Sequence, residues 1–101
     1  MNLYEYQNAS RRTLPVEMSD LDRLVFALGL CGEAGEAGEL VKKNIGHGRQ
    51  MDYLRLQEEL GDVLWYVAAV ASAYGLGLDT IASANVEKLK KRYPEGFTRG
   101  S

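Results

Sequence analysis

The chain has 101 residues, 46% hydrophobic and 26% charged, which suits a single globular domain over 1–101 and leaves out wholesale disorder. Twelve Lys and Arg against 14 Asp and Glu give a net charge of −2, so a basic nucleic-acid-binding surface is not expected. The lone cysteine, Cys31, excludes an intrachain disulfide framework.

Met1 to Ser10 lack the basic-then-apolar layout of a secretory leader, and with a reduced thiol this makes the cytoplasm the expected location. Between Pro15 and Pro94 no strand-like alternation is seen, and the pattern is helical. A short first helix is expected over Leu3 to Arg12, ending before Pro15. Ser19 or Asp20 caps a second helix that runs to about Asn44, where Gly46-His47-Gly48 breaks it. A third opens near Asp52 and continues to about Tyr74, stopped by Gly75 and Gly77. Asp79 or Thr80 then caps a fourth helix that reaches Arg92 or Tyr93, with a loose tail from Gly96 to Ser101. The least polar stretch, Val63 to Leu78, is shorter than the roughly 18–20 apolar residues of a membrane span. No membrane partner is expected.

Leu56, Leu60, Val63, Leu64, Val67 and Ala71 draw one apolar stripe along the third helix. From Val63 onward its other faces are apolar too, as they are in the second helix from Leu24 to Cys31. Such helices need cover on all sides, so the expected fold is an all-α four-helix bundle that is oligomeric through helices two and three. Gly29, Gly32, Gly35 and Gly38 recur every third residue, each costing a helix roughly 0.5–1 kcal/mol relative to Ala. Close approach of another backbone or of a ligand-bearing helix is the reading favoured for them.

Among those glycines stand Glu33, Glu36 and Glu39, and the third helix carries Glu58, Glu59 and Asp62. Carboxylates three apart lie roughly 5–6 Å apart at Cβ and repel one another. Both clusters border apolar runs, and no Lys or Arg occurs between Leu24 and Val41 or between Gln57 and Asn85. A hard divalent cation is the simplest compensation for such acids, against a solvated acidic face as the plainer reading. The only histidine, His47, sits in a turn, so Glu-x-x-His di-iron chemistry is excluded and Mg²⁺, with Mn²⁺ as a substitute, fits best. On the last helix Asn85, Lys88, Lys91 and Arg92 share a face, either as a basic helix end or as a phosphate clamp.

Gly32-Glu33-Ala34-Gly35-Glu36, Glu58-Glu59-Leu60-Gly61-Asp62-Val63-Leu64 and Asn85-x-x-Lys88 with Lys91-Arg92-Tyr93-Pro94 together resemble the MazG-like, all-α nucleoside triphosphate pyrophosphohydrolases. The resemblance spans Leu24 to Phe97. It implies a helical bundle assembled as a homodimer or dimer of dimers, and Mg²⁺-dependent hydrolysis of a (deoxy)nucleoside triphosphate to the monophosphate and pyrophosphate, in nucleotide-pool control or house-cleaning. It also implies metal ligands at Glu33, Glu36, Glu59 and Asp62, with phosphate and sugar contacts at Asn85, Lys88 and Arg92. Many members carry a further Glu where this chain has Gly32. Water activation is therefore left to Glu36, to Glu58 or to a hydroxide held by the metal.

Tyr66, one turn after Asp62, leads the candidates for the base pocket, ahead of Trp65, Tyr4 and Tyr6. Two alternatives stay open at this point. One is a hydrolase of another pyrophosphate bond, in a nucleotide-sugar or phosphoribosyl-ATP. The other is a non-catalytic helical interaction module that holds a structural cation.

Overall fold

The computed structural model describes residues 1–97 and 99, so the expected tail from Gly96 to Ser101 lies partly outside the described residues. It is all-α: α1 (Leu3–Arg11), α2 (Asp20–Gly46), α3 (Tyr53–Ala73) and α4 (Leu78–Arg92), with no strand among the described residues. The starts of the first three helices follow from local chemistry. Asn2 and Ser19 each form a capping box, with Glu5 and Asp22 respectively, and Asp52 accepts from the Arg55 amide. The α2 helix runs through Gly46 to a cap at His47, and Gly48 makes the turn at φ +64°. The α3 helix closes in a Schellman turn: Gly75 takes φ +68°, its amide donates to Ser72 O, and the Leu76 amide donates to Ala71 O.

The fourth helix departs from expectation. It begins at Leu78, one residue before Asp79, and its N-cap, Gly77, offers no side-chain bond. The missing acceptor comes from the first helix. Gln7 is 2% exposed, and its Oε1 accepts from the Leu78 amide at 2.8 Å. Its Nε2 donates to Leu76 O at 2.9 Å and to Ser72 Oγ at 3.1 Å. One side chain thus joins α1, the end of α3 and the start of α4.

The α2 and α3 helices pack antiparallel as the main contact of the chain. The register is marked by Arg23, whose Nε donates to Ala73 O at 3.2 Å, by Phe26 edge-on to Trp65, and by Gly29 against Tyr66. Trp65 also donates through Nε1 to Thr13 Oγ1 at 2.8 Å, fastening the α1–α2 connection to α3. The α1 helix packs against α3 and α4, and α4 leaves α3 at a bend of 104°. No single helix among the described residues is long and apolar enough to cross a membrane.

The core inside the chain is small. Among the described residues the buried apolar ones are Leu14, Ala37, Ala68, Ala69, Ala71, Ala73 and Leu78, and no large side chain is fully enclosed. Leu24, Val25, Leu28, Leu60 and Leu64, on the two long helices, stay open to solvent. The radius of gyration is 16.3 Å, against about 13 Å for a compact domain of this length.

Replacing Gln7 by Leu strands the Leu78 amide and the Leu76 carbonyl. A loss of about 1–3 kcal/mol is expected, read as a lower urea midpoint at an unchanged slope.

Candidate metal and nucleotide site

The register of the hairpin decides which carboxylates meet. Glu33 of α2 faces Glu59 and Asp62 of α3, and each offers an oxygen within 4.8 Å of the others. Glu33 and Glu59 are half-buried and Asp62 is exposed. The Oε2 atoms of Glu33 and Glu59 are buried with no hydrogen-bond partner. Among the described residues the ion pairs are Arg23–Asp20, Lys42–Glu39 and Lys90–Glu87, and none involves this cluster.

Unpartnered buried carboxylate oxygens are costly, because desolvation penalises the charge and nothing inside the chain returns the energy. An oxygen-seeking divalent cation fits this donor set: three carboxylates from two helices, Asp62 exposed to solvent, and no nitrogen or sulfur donor in the group. The buried orphan oxygens are what set this cluster apart from an ordinary acidic surface.

The other expected site residues distribute as follows. Glu36, one turn beyond Glu33, is exposed and lies outside the three-carboxylate group. Glu58 is exposed beside Glu59. Tyr66 is half-buried one turn from Asp62, its ring edge-on to Trp65 with centroids 5.0 Å apart. Trp65 is occupied by Phe26, Tyr66 and Thr13, and Tyr4 is exposed. Asn85, Lys88 and Arg92 are exposed on α4, and no hydrogen bond or ion pair joins them to the carboxylates among the described residues.

Tyr6 lies closer to the centre than its sequence context suggests. It packs against the cluster of Ala68, Ala71 and Leu78. Burial first, and the Asp62 carboxylate second, push its phenol pKa up from the usual value. Its helix neighbour is Gln7, so the anchor of α1 also holds Tyr6 beside Asp62. The inward spacing of Tyr6 or Gln7 and Ser10 is the sequence signal for that face.

Residues 23–97 match the MazG nucleotide pyrophosphohydrolase domain. The chain is 42% identical over 78 residues to the Gene 37 protein of Mycobacterium phage L5, covering 73% of this chain and 68% of that protein. It is 36% identical over 80 residues to dCTP pyrophosphatase 1 of Rattus norvegicus, covering 73% of this chain and 47% of that enzyme. The chain therefore spans about half the length of the mammalian relatives it matches. Among solved structures it resembles iMazG from Vibrio DAT 722, with a TM-score of 0.66 and 27% identity over 92% of this chain and 98% of that one.

Glu59→Gln removes one of the two orphaned charges. The metal-free variant is expected to melt higher than the wild type, since a neutral amide relieves both desolvation and repulsion. Added Mg²⁺ or Mn²⁺ should raise the wild-type melting temperature and leave that of the variant nearly unmoved; a cation at a hundred times its Kd adds about 2.7 kcal/mol. Differential scanning fluorimetry with and without EDTA checks both halves.

Proposed function

The chain belongs to the MazG nucleotide pyrophosphohydrolase family, and from that membership we propose that it hydrolyses a deoxynucleoside triphosphate to the monophosphate and pyrophosphate with a divalent cation, Mg²⁺ by preference. The observation that carries the reading is the pair of partnerless buried oxygens on Glu33 and Glu59 beside Asp62. Glu33, Glu59 and Asp62 would hold the cation, with Glu36 available from the next turn of α2. When bound, the cation neutralises the triphosphate and the charge that grows as the anhydride breaks.

The chain's own groups supply the rest. A water attacks the α-phosphorus, its oxygen forming the new P–O bond while the bond from that phosphorus to the bridging oxygen breaks. The electrons of that bond leave with pyrophosphate. The water's proton passes to a carboxylate, for which Glu36 and Glu58 are the exposed groups beside the centre. Asn85, Lys88 and Arg92 are proposed to hold the phosphates and sugar, and Tyr66 to face the base. Because a mammalian relative bears the name dCTP pyrophosphatase 1, dCTP is the first substrate to try.

The same proposal includes a homodimer or dimer of dimers through α2 and α3. Its support is the open apolar row of Leu24, Val25, Leu28, Leu60 and Leu64, and the near absence of large buried side chains. Gly32, Gly35 and Gly38 add to it, since a Cβ there meets nothing within 4 Å of the chain itself.

Three measurements test the reading. Pyrophosphate release from a panel of dNTPs and NTPs, with Mg²⁺ and with EDTA, should show metal-dependent formation of a monophosphate; release of orthophosphate, or no turnover, overturns it. Lys88→Ala should lower kcat/KM about ten- to a hundredfold, as expected for a charge-assisted phosphate contact of roughly 1.5–3 kcal/mol, and Lys90→Ala, whose amine is paired with Glu87 at 3.3 Å, should change little. Light scattering at micromolar concentration should give at least a dimer whose melting temperature rises with protein concentration.

A further inference from the structure

The four glycines of α2 are not equivalent. A Cβ built on Gly32, Gly35 or Gly38 meets nothing within 4 Å, whereas one on Gly29 would stand 2.6 Å from Tyr66 Cζ and 2.8 Å from Cδ1. Carbon atoms at rest keep roughly 3.5–4.0 Å, so the ring fills the volume that any other residue's Cβ would take. Gly29 precedes Glu33 by four residues and Tyr66 follows Asp62 by four. The contact therefore lies one helical turn, about 6 Å, along the hairpin from the carboxylates. On the α3 side the ring is held edge-on by Trp65, which is itself held by Phe26 and by its bond to Thr13. On the α2 side it rests on bare backbone.

The atoms that an added methyl meets belong to the Tyr66 side chain and not to backbone. A substitution at Gly29 therefore acts first on the ring. We propose that Gly29 is a positioning residue for the nucleobase: its missing side chain seats the Tyr66 ring against α2, one turn from the carboxylate centre, where the ring forms one wall of the pocket for a planar heterocycle. The inference rests on the nucleotide-hydrolase reading above and assigns a determinant of its substrate fit.

Gly29→Ala, Tyr66→Leu and the double variant test it, with far-UV circular dichroism to show that each folds. Trp65 is the only tryptophan, so its emission and near-UV dichroism report the adjacent ring. Gly29→Ala should shift both signals and raise KM for the best dNTP about three- to tenfold, the scale of one aromatic contact, with kcat changed much less. In the Tyr66→Leu background the same substitution should add nothing to either readout. An unchanged Trp65 signal, or an equal effect of Gly29→Ala with and without Tyr66, overturns the seat. A shifted signal with unchanged KM overturns its role in base fit. A wild-type protein that turns over no nucleotide overturns the underlying activity and this role with it, an outcome distinct from an active wild type with an indifferent Gly29→Ala. If Gly29→Ala does not fold, recovery of the fold in the double variant supports the seat and its continued loss overturns it.

Discussion

Outside the α2–α3 hairpin, one buried amide joins three segments of the chain at once. Gln7 accepts from the Leu78 amide and donates to Leu76 O and Ser72 Oγ, so a single side chain orients α1, closes the end of α3 and starts α4. The arrangement satisfies groups that a helix start normally leaves bare, since Gly77 has no side chain with which to cap. Buried polar groups demand partners with fixed geometry, and a hydrophobic contact at the same place would let the three segments slide. The small cluster of Ala68, Ala71 and Leu78 beside the amide supplies area but little shape. Because Tyr6 is the preceding residue, this structural bond also carries an aromatic group to the edge of the carboxylate centre.

Within the hairpin the physics runs the other way. Glu33 and Glu59 each bury an oxygen without a partner, which opposes folding in the absence of a cation. Such a cost persists only where other interactions override it, and the long contact between α2 and α3 offsets part of it here. Helix periodicity explains how few residues suffice. Glu59 and Asp62 sit three apart on α3 and meet Glu33 across the hairpin, so two rigid helices bring all three carboxylates together without a loop. The residual mobility of a loop site is avoided.

The sequence reveals much of this and conceals the rest for identifiable reasons. Ser19 and Asp52 are caps whose partners lie three residues away, and such local chemistry is visible in a one-dimensional string. The start of α4 is not, because its acceptor belongs to a residue 71 positions earlier. Local chemistry points to Asp79 or Thr80, and a distant amide takes the place of either. The acidic pairs on α2 and α3 are legible as a site from their apolar setting, yet spacing alone treats Glu33 and Glu36 alike. Only the register across the hairpin separates them, with Glu33 in the cluster and Glu36 exposed. The basic face of α4 illustrates the same limit, for a shared face fixes mutual alignment and says nothing of what lies opposite. The glycine run likewise reads as uniform in the string and divides in space, one residue facing a ring and three facing open volume.

Those two tiers of the hairpin, carboxylates at Glu33 and Asp62 and an aromatic ring on Gly29 one turn away, impose opposite demands on the same pair of helices. The acids favour separation, since like charges at close range repel. The ring requires contact, since it reaches the α2 backbone only when the helices are close enough for glycine alone to fit. Each helical glycine lowers intrinsic stability by roughly 0.5–1 kcal/mol, so the close approach is costly even before the acids are counted. Neither demand is met by the small core within one chain, which holds no large enclosed side chain. Under the proposed function the balance comes from outside the chain's own packing: from a cation among the acids, and from cover on the open rows of Leu24, Leu28 and Leu60. In that reading ligand binding and assembly act on the same helix pair, so whatever tightens the hairpin at one tier reduces the cost of ordering the other.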